Sequence, residues 1–219
     1  MHYIDIHTHS NPRPDIPSLV DVSGREDCCF DYEYFSVGIH PKSTAEDWQS
    51  QLSKIEQLAQ KPNFGGVGEC GLDKFADRPR DLQEKVFVEQ LLLAQRIAKP
   101  VIIHCVRLYT DVLRLLKKIR FGNPVVFHGY NGNPDIAAQL LKLPNTYFSY
   151  SAATLAMPGT SGAKSLPMIS AERLLTETDC EQGADLSGVV ETIAKIKNLD
   201  SDILRQTIYE NFMRLMKRL

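Results

Sequence analysis

Five of the six histidines in this 219-residue chain end or closely follow short apolar runs that are typical of buried β-strands. These histidines are His7, His9, His40, His104 and His128. Glu69 and Asp179 end two further runs in the same way. Imidazole and carboxylate groups together are the side chains that bind Zn²⁺, Mn²⁺ and Co²⁺. Because the carboxyl ends of parallel strands meet at one face of a barrel, the sequence predicts a metal site there.

His7-Thr8-His9 is the first element of this site. Residues two apart on an extended chain point to the same side, so the two imidazoles can share one ion. Asp5 lies on the same face, where it either orients a ligand imidazole or is an ordinary carboxylate at a strand edge. Two histidines at this spacing also occur by chance in loops, so the interpretation depends on the ligands that follow.

Two fully apolar runs end in histidine, at Val101–His104 and at Val125–His128. One such histidine is more often held by a local hydrogen bond. Two of them, combined with the histidine pair and the strand-end acids, favour ion binding. At the end of the run Leu174–Asp179, Glu177 and Asp179 point the same way on an ideal strand. Spacing does not decide between these two acids, and the later position, nearer the barrel mouth, is preferred.

The predicted ligands are four histidines, one glutamate and one aspartate. They are His7, His9, Glu69, His104, His128 and Asp179. A single ion rarely takes six protein side chains, whereas two ions that share a bridging carboxylate use them all. Two ions about 3.5–4 Å apart hold both the attacking and the leaving oxygen of a displacement, and Asp179 could accept the proton of the attacking water. The histidine-rich set favours Zn²⁺, Mn²⁺ or Co²⁺, with Mg²⁺ as an alternative.

The glycine-rich segment around Glu69 contains a formal GxGxxG pattern from Gly66 to Gly71. A dinucleotide-binding loop of this kind must open a helix whose N-terminus holds a pyrophosphate. Here Glu69 would aim a negative charge at that pyrophosphate, and Arg78-Pro79 follows where the helix should continue. The glycines are therefore interpreted as allowing close backbone packing around a carboxylate ligand.

Strand-like and helix-like patterns alternate along the chain, which favours a parallel sheet. The predicted strands are Ile4–His7, Leu19–Val22, Tyr34–Ile39, Gly66–Glu69, Val101–His104, Val125–His128, Thr146–Tyr150 and Arg173–Thr178. The predicted helices are Trp48–Gln60, Leu82–Ile97, Tyr109–Ile119, Asp135–Leu141, Leu186–Lys197 and Asp202–Met216. Eight strands predict an α/β protein with a single-domain, TIM-type (β/α)₈ barrel over residues 1–219, and a doubly wound sheet is the alternative. The proline-rich segment 10–18 cannot form a long helix, so the first βα segment is expected to be shortened.

Composition excludes several classes of protein. The chain is 43% hydrophobic and has a formal charge of −2, which excludes disorder and a general electrostatic attraction to nucleic acid while leaving room for a local basic groove. Five cysteines do not suggest a disulfide framework, and Cys70, Cys105 and Cys180 are interpreted as core thiols. The N-terminus lacks the pattern of a signal peptide and no apolar stretch is long enough to span a membrane, so the expectation is a cytoplasmic protein. A monomer without an obligate protein partner is expected as well.

Six short motifs together resemble the TatD-like metal-dependent hydrolases, a family of amidohydrolase-like barrels. They are Asp5-Ile6-His7-Thr8-His9, Gly38-Ile39-His40-Pro41, Gly68-Glu69-Cys70-Gly71-Leu72-Asp73, Pro100–His104, Val126-Phe127-His128-Gly129 and Leu175–Asp179. Each motif is weak alone, but the six occur in the family's order. The resemblance implies a barrel that binds one or two divalent metal ions and acts as a deoxyribonuclease, often a 3′→5′ exonuclease, which hydrolyses phosphodiester bonds in DNA.

The resemblance also implies roles for individual residues. His7, His9 and Asp179 would hold one ion, His104 and His128 a second, and Glu69 would bridge them. Asp179 and Glu69 are thereby the catalytic residues, with Asp179 as proton acceptor and as the ligand in preference to Glu177.

Residues that bind substrate are predicted less directly. His40 is expected to face the substrate or to support the ligands, and Lys74 and Arg107 either contact phosphates or are solvated charges. The chain departs from the family in its short loop after His9, in the displaced Arg107, and in Cys180–Gly183 after the last ligand. The short loop and the mild negative charge keep open an alternative, hydrolysis of a small amide, ester or lactone on the same barrel. A second alternative is a barrel that binds metal without catalysis, against which the intact ligand set argues.

Overall fold

The protein is described by a computed structural model that covers residues 2–156, 161–181 and 184–216. Within these ranges one sheet contains eight parallel strands in the order of the chain. The strands are β1 (Asp5–Thr8), β2 (Ser18–Asp21), β3 (Tyr34–Val37), β4 (Phe64–Asp73), β5 (Val101–Val106), β6 (Val125–Phe127), β7 (Thr146–Tyr150) and β8 (Leu174–Thr176). Residues 182 and 183, which belong to the segment after Asp179 where the chain departs from the family pattern, lie outside the described residues.

The sheet is closed into a barrel by contacts between its first and last strands. The N–H of Asp179, just beyond β8, donates to the carbonyl oxygen of His7 at 2.9 Å, and the N–H of His9 donates to the carbonyl oxygen of Asp179 at 3.0 Å. A doubly wound sheet has open edges and a strand order that reverses. Sequential order together with this closure therefore confirms the predicted (β/α)₈ barrel.

Helices follow most strands and cover the barrel. They are α1 (Trp48–Leu58), α2 (Arg80–Arg96), α3 (Tyr109–Lys118), α4 (Pro134–Leu140), α5 (Ala152–Leu155), α6 (Ser161–Ser165), α7 (Leu186–Lys197) and α8 (Ser201–Met216). The six longer helices match the sequence prediction to within two residues at each end. The short helices α5 and α6 were not predicted, because a single turn shows no helical period. In the described ranges, no helix has the length and apolar character needed to cross a membrane.

The first βα segment is shortened, as predicted. Residues 9–17 connect β1 to β2 without a helix, and prolines at positions 12, 14 and 17 remove the backbone donors that a helix needs. The assignment of the whole chain to one domain stays a prediction from the sequence.

Strand β4 is longer than the predicted Gly66–Glu69. It runs to Asp73, and its pairing with β5 shifts register between Val67 and Cys70. Gly68 and Gly71 have φ values of +143° and +146°, which residues other than glycine rarely adopt. The glycines therefore allow an irregular strand to continue where the sequence pattern indicates a turn.

Replacing Gly71 by Ala is expected to destabilise the fold by about 3 kcal/mol. A Cβ at this position would collide with the carbonyl oxygen of His104, in addition to the cost of the positive φ. Urea denaturation of the two proteins measures the difference. Gly122→Ala is the matched control, because no atom lies within 4 Å of the added Cβ. Equal midpoints for Gly71→Ala and the control would contradict this account of β4.

Candidate metal centre

Glu69 lies at the centre of a group of side chains at the carboxyl end of the barrel. Its Oε2 atom is 3.6 Å from Nε2 of His7 and 3.4 Å from Nε2 of His9. Its Oε1 atom is 2.6 Å from Nδ1 of His104 and 2.7 Å from Nε2 of His128. The two oxygens of one buried carboxylate thus face two separate groups of imidazoles, and Nε2 of His40 also lies 3.4 Å from Oε1.

Asp179 completes the group around His7 and His9. Its Oδ1 atom is 3.8 Å from Nε2 of His7 and 3.6 Å from Nε2 of His9. The backbone hydrogen bonds that close the barrel hold Asp179 beside both histidines. Its φ of +52° is left-handed, a conformation that aspartate tolerates better than most residues. All six predicted ligands therefore lie together.

Glu177, which spacing could not distinguish from Asp179, has a different position. It is fully buried, and its Oε1 atom accepts a hydrogen bond from the N–H of Gly129 at 2.6 Å, while Oε2 accepts one from the hydroxyl of Ser149. The same Oε1 atom is 3.7 Å from Nδ1 of His128. Glu177 thus supports the far side of the His128 ring, away from Glu69.

The arrangement fits a divalent cation. The His7 side chain has no solvent exposure, and within the described part of the chain neither of its ring nitrogens has a hydrogen-bond partner. A buried polar nitrogen left unpaired costs about 1–3 kcal/mol, so such groups in proteins normally meet a partner. Nε2 of His7 is directed towards oxygens of Glu69 and Asp179, where a cation would satisfy all three groups.

Charges within the group reinforce one another. Burial opposes ionisation of Glu69, but the charge of His128 and the hydrogen bond from His104 outweigh burial and hold its pKa well below the usual range. Burial is the largest single influence on the pKa of His128 and lowers it, but the charge of Glu69 and the hydrogen bonds with Glu177 and Glu69 together outweigh burial, so that this pKa lies well above the ordinary value. Glu69 is accordingly an anion, which is the form that binds metal.

Asp5 lies behind the group, on the β1 face shared with His7. Burial is the main cause that raises the pKa of Asp5 to about 7, and the hydrogen bonds from Thr178 act against it. Its Oδ2 atom accepts from the hydroxyl of Thr178 at 2.6 Å, and its Oδ1 atom accepts from the N–H of Thr178 at 3.0 Å. Asp5 thus joins β1 to the segment that carries Asp179.

Two acids near the centre were missed by the sequence analysis. Asp73 ends β4, and its Oδ2 atom is 3.2 Å from Nε2 of His104, where it can orient that ring. Asp21 ends β2 and, with His7, His9 and Glu69, belongs to a group whose potential ligand atoms all lie within 4.8 Å of one another. Both acids end strands, and this signal could have found them had the ends of β2 and β4 been placed correctly.

The predicted substrate residues occupy two kinds of position. His40 lies inside the group, with Nε2 3.4 Å from Oε1 of Glu69 and with Nδ1 accepting from the N–H of Lys42 at 3.0 Å. Lys74 and Arg107 are exposed just beyond β4 and β5. In the described residues, neither of them forms an ion pair with the carboxylates of the group.

Cys180 corrects one prediction. It is exposed and lies beside His9 and Asp179, with potential ligand atoms within 4.8 Å of one another, whereas Cys70 is fully buried as predicted. Partial burial, followed by the charge of Asp179, raises the pKa of the Cys180 thiol to about 11. The prediction that it is a core thiol was wrong because β8 ends at Thr176, so strand alternation does not extend to residue 180.

The sequence of the chain matches the family described as TatD related DNase over residues 29–217. YabD of Bacillus subtilis (strain 168), an uncharacterized metal-dependent hydrolase, is 27% identical over 203 residues, which span 86% of this chain and 79% of that protein. The 3'-5' ssDNA/RNA exonuclease TatD of Rahnella sp. (strain Y9602) is 33% identical over 152 residues, or 68% of this chain and 57% of that protein.

A solved structure shares the fold. The crystal structure of YJJV, a TatD homolog from Escherichia coli k12, superposes with a TM-score of 0.83 over 98% of both chains, at 22% identity. The family match covers most of the chain, including four of the six predicted ligands and His40. The chain belongs to the TatD related DNase family and is a metal-dependent hydrolase.

Proposed function

We propose that the chain is a 3′→5′ exonuclease that hydrolyses phosphodiester bonds of single-stranded DNA with the help of two divalent ions. The observation that carries the two-ion part is the position of Glu69, whose two oxygens face different pairs of histidines. The substrate part is supported by the relatives named as 3'-5' exonucleases. Action as a monomer in the cytoplasm stays an expectation from the sequence.

In this proposal each ion has its own ligands, and Glu69 is shared. His7, His9 and Asp179 would hold the first ion, and His104 and His128 the second. Paired ions of this kind supply Lewis-acid stabilisation of the charge that develops on the attacking and leaving oxygens. Zn²⁺, Mn²⁺, Co²⁺ and Mg²⁺ are the candidates, and the histidine-rich set favours the first three.

Asp179 is the best-placed proton acceptor. Its side chain is 40% exposed at the barrel mouth, whereas that of Glu69 is 8% exposed and is surrounded by imidazoles. As the oxygen of a water molecule bonds to phosphorus, a carboxylate oxygen of Asp179 takes the released proton. The bond between phosphorus and the leaving oxygen breaks in the same displacement, the leaving oxygen takes a proton from solvent water, and Asp179 returns the proton that it accepted to solvent.

Cationic side chains around the mouth would position the strand. Lys74 and Arg107 are exposed beyond β4 and β5. Lys42 is 60% exposed, with Nζ 3.6 Å from Oδ2 of Asp73. With a net charge of −2 for the whole chain, attraction to phosphates must come from such local groups. His40 would face the scissile phosphate from within the group.

A 5′-labelled single-stranded DNA oligonucleotide tests the proposal. Metal-stripped protein is resupplied separately with Mg²⁺, Mn²⁺, Co²⁺ and Zn²⁺, and we expect stepwise shortening from the 3′ end with at least one ion. An oligonucleotide with phosphorothioate linkages at its 3′ end is the control and should resist shortening. Internal cleavage or shortening from the 5′ end contradicts the polarity. No cleavage with any ion, despite tight metal binding, would instead favour a small amide, ester or lactone substrate.

A further inference from the structure

Asp21 is a buried carboxylate that connects β2 to the candidate bridging residue on β4. Only 1% of the residue is exposed. Its Oδ2 atom accepts a hydrogen bond from the backbone N–H of Glu69 at 2.8 Å, and its Oδ1 atom accepts one from the N–H of Ser23 at 2.7 Å. Hydrogen bonds to an ionised acceptor are short and roughly twice as strong as neutral ones. The bond between Asp21 and Glu69 is thus a strong link between two separate strands.

The backbone at Glu69 needs such a link because the regular ladder does not hold it. Glu69 lies in the stretch where the pairing between β4 and β5 shifts register, between Val67 and Cys70. On the other side, the last paired residues of β3 and β4 are Val37 and Val67. The N–H of Glu69 therefore donates to the side chain of Asp21, whereas the N–H of a residue within a regular strand donates to a carbonyl oxygen of the neighbouring strand.

The contact crosses over β3, and a glycine makes this possible. Gly38 follows β3 directly, and a Cβ at that position would lie only 2.7 Å from both the carbonyl oxygen of Glu69 and the Cα of Gly68. The hydroxyl of Ser23 accepts a hydrogen bond from the N–H of Gly38 at 3.1 Å. The end of β3 can therefore lie close against the backbone of β4 at Glu69, and the Asp21 side chain reaches past it from β2.

The same loop also holds the other side of the candidate centre. The Nη2 atom of Arg25 donates to the carbonyl oxygen of His9 at 2.8 Å and to the carbonyl oxygen of Asp21 at 2.9 Å. The end of β2 and the loop that follows it thus contact the backbone of two candidate ligands, Glu69 through Asp21 and His9 through Arg25. The loop after β2 packs beside His9 in a barrel that has no helix between β1 and β2.

We infer that Asp21 is a positioning residue that holds Glu69 in the orientation where its carboxylate serves both groups of histidines. This inference rests on the proposed role of Glu69 as bridging ligand. It goes beyond the ligand set itself, because Asp21 acts through the backbone of Glu69. Residues that orient a metal ligand typically change metal affinity by about 10–100-fold when they are replaced.

Isothermal titration of metal-stripped protein with Mn²⁺ tests the inference without any assay of hydrolysis. Asp21→Asn keeps the size of the side chain but replaces one carboxylate oxygen by an amide NH₂ group. The backbone N–H groups of Glu69 and Ser23 then share a single acceptor atom. We expect its Mn²⁺ affinity to fall by about 10–100-fold. Asp21→Ala should lose at least as much, and Asp21→Asn still decides the result if the alanine variant fails to fold.

Ser23→Ala is the matched control. It removes a hydroxyl that bonds to Gly38 in the same loop and leaves the bond between Asp21 and Glu69 in place. We expect Ser23→Ala to lower the Tm of the metal-free protein while its Mn²⁺ affinity stays that of the wild type. Wild-type affinity in Asp21→Asn, or an affinity that falls in step with Tm across both variants, would overturn the inference.

The result is independent of the proposed substrate. A wild-type protein that binds Mn²⁺ but leaves DNA intact would contradict the nuclease proposal and support the inference if Asp21→Asn still binds the ion more weakly. Unchanged affinity in Asp21→Asn would overturn the inference even if the wild type degrades DNA.

Discussion

Replacing Glu69 by Gln is expected to lower metal-dependent hydrolysis by about 10³-fold, because several kcal/mol of charge stabilisation depend on the paired ions that Glu69 would bridge. The amide has the same shape but no charge, and only one of its two terminal atoms can act as a ligand. Both oxygens of Glu69 face imidazoles in the protein, so the substitution weakens both groups at once.

Initial rates of cleavage of labelled single-stranded DNA, measured with each ion at saturating concentration, give the size of this effect. Glu46→Gln is the matched control, since Glu46 is exposed and lies before α1, outside the group. Its rate should equal that of the wild type. A Glu69→Gln protein with the full metal-dependent rate would exclude Glu69 from the reaction.

Replacing Asp179 by Asn is expected to lower kcat by about 10²–10⁴-fold, the usual contribution of a positioned general base. Asparagine adopts the left-handed conformation of this residue as readily as aspartate does, so the backbone bonds that close the barrel should persist. The amide keeps one oxygen that can remain a metal ligand but accepts a proton poorly. The loss should therefore appear in kcat, with little change in KM.

Steady-state kinetics of the Asp179→Asn protein, beside an Asp77→Asn control, show whether the loss lies in kcat or in KM. Asp77 is an exposed acid in the loop after β4 and has no predicted part in the reaction. A variant whose kcat is unchanged and whose KM rises would show that Asp179 binds substrate and does not accept the proton.

Much of the fold and of the candidate site could be predicted because strand-end position is a local property of the sequence. His104 and His128 each follow three apolar residues, and parallel strands place such ends together whatever the loops do. The choice between Glu177 and Asp179 could not be made from spacing. Regular alternation stops when β8 ends at Thr176, and the chain then turns through the left-handed Asp179.

The positions of Asp21 and Cys180 could not be predicted from the sequence, for a different physical reason. Asp21 reaches Glu69 across β3, through the space left by Gly38, and no local pattern records a contact between residues 48 positions apart. Cys180 was assigned to the core by strand alternation, but it follows the last strand and is exposed. Long-range packing and the exact ends of strands are the features that periodicity alone does not supply.

The number of bound ions tests the central claim most directly, because the two-ion site depends on Glu69 facing both pairs of histidines. Metal-stripped protein would be saturated with Mn²⁺ or Zn²⁺, freed of excess ion, and measured by elemental analysis against protein concentration. We expect two ions per chain in the wild type and fewer in Glu69→Gln. One ion per chain at saturation, or two ions held equally well by the wild type and Glu69→Gln, would contradict it.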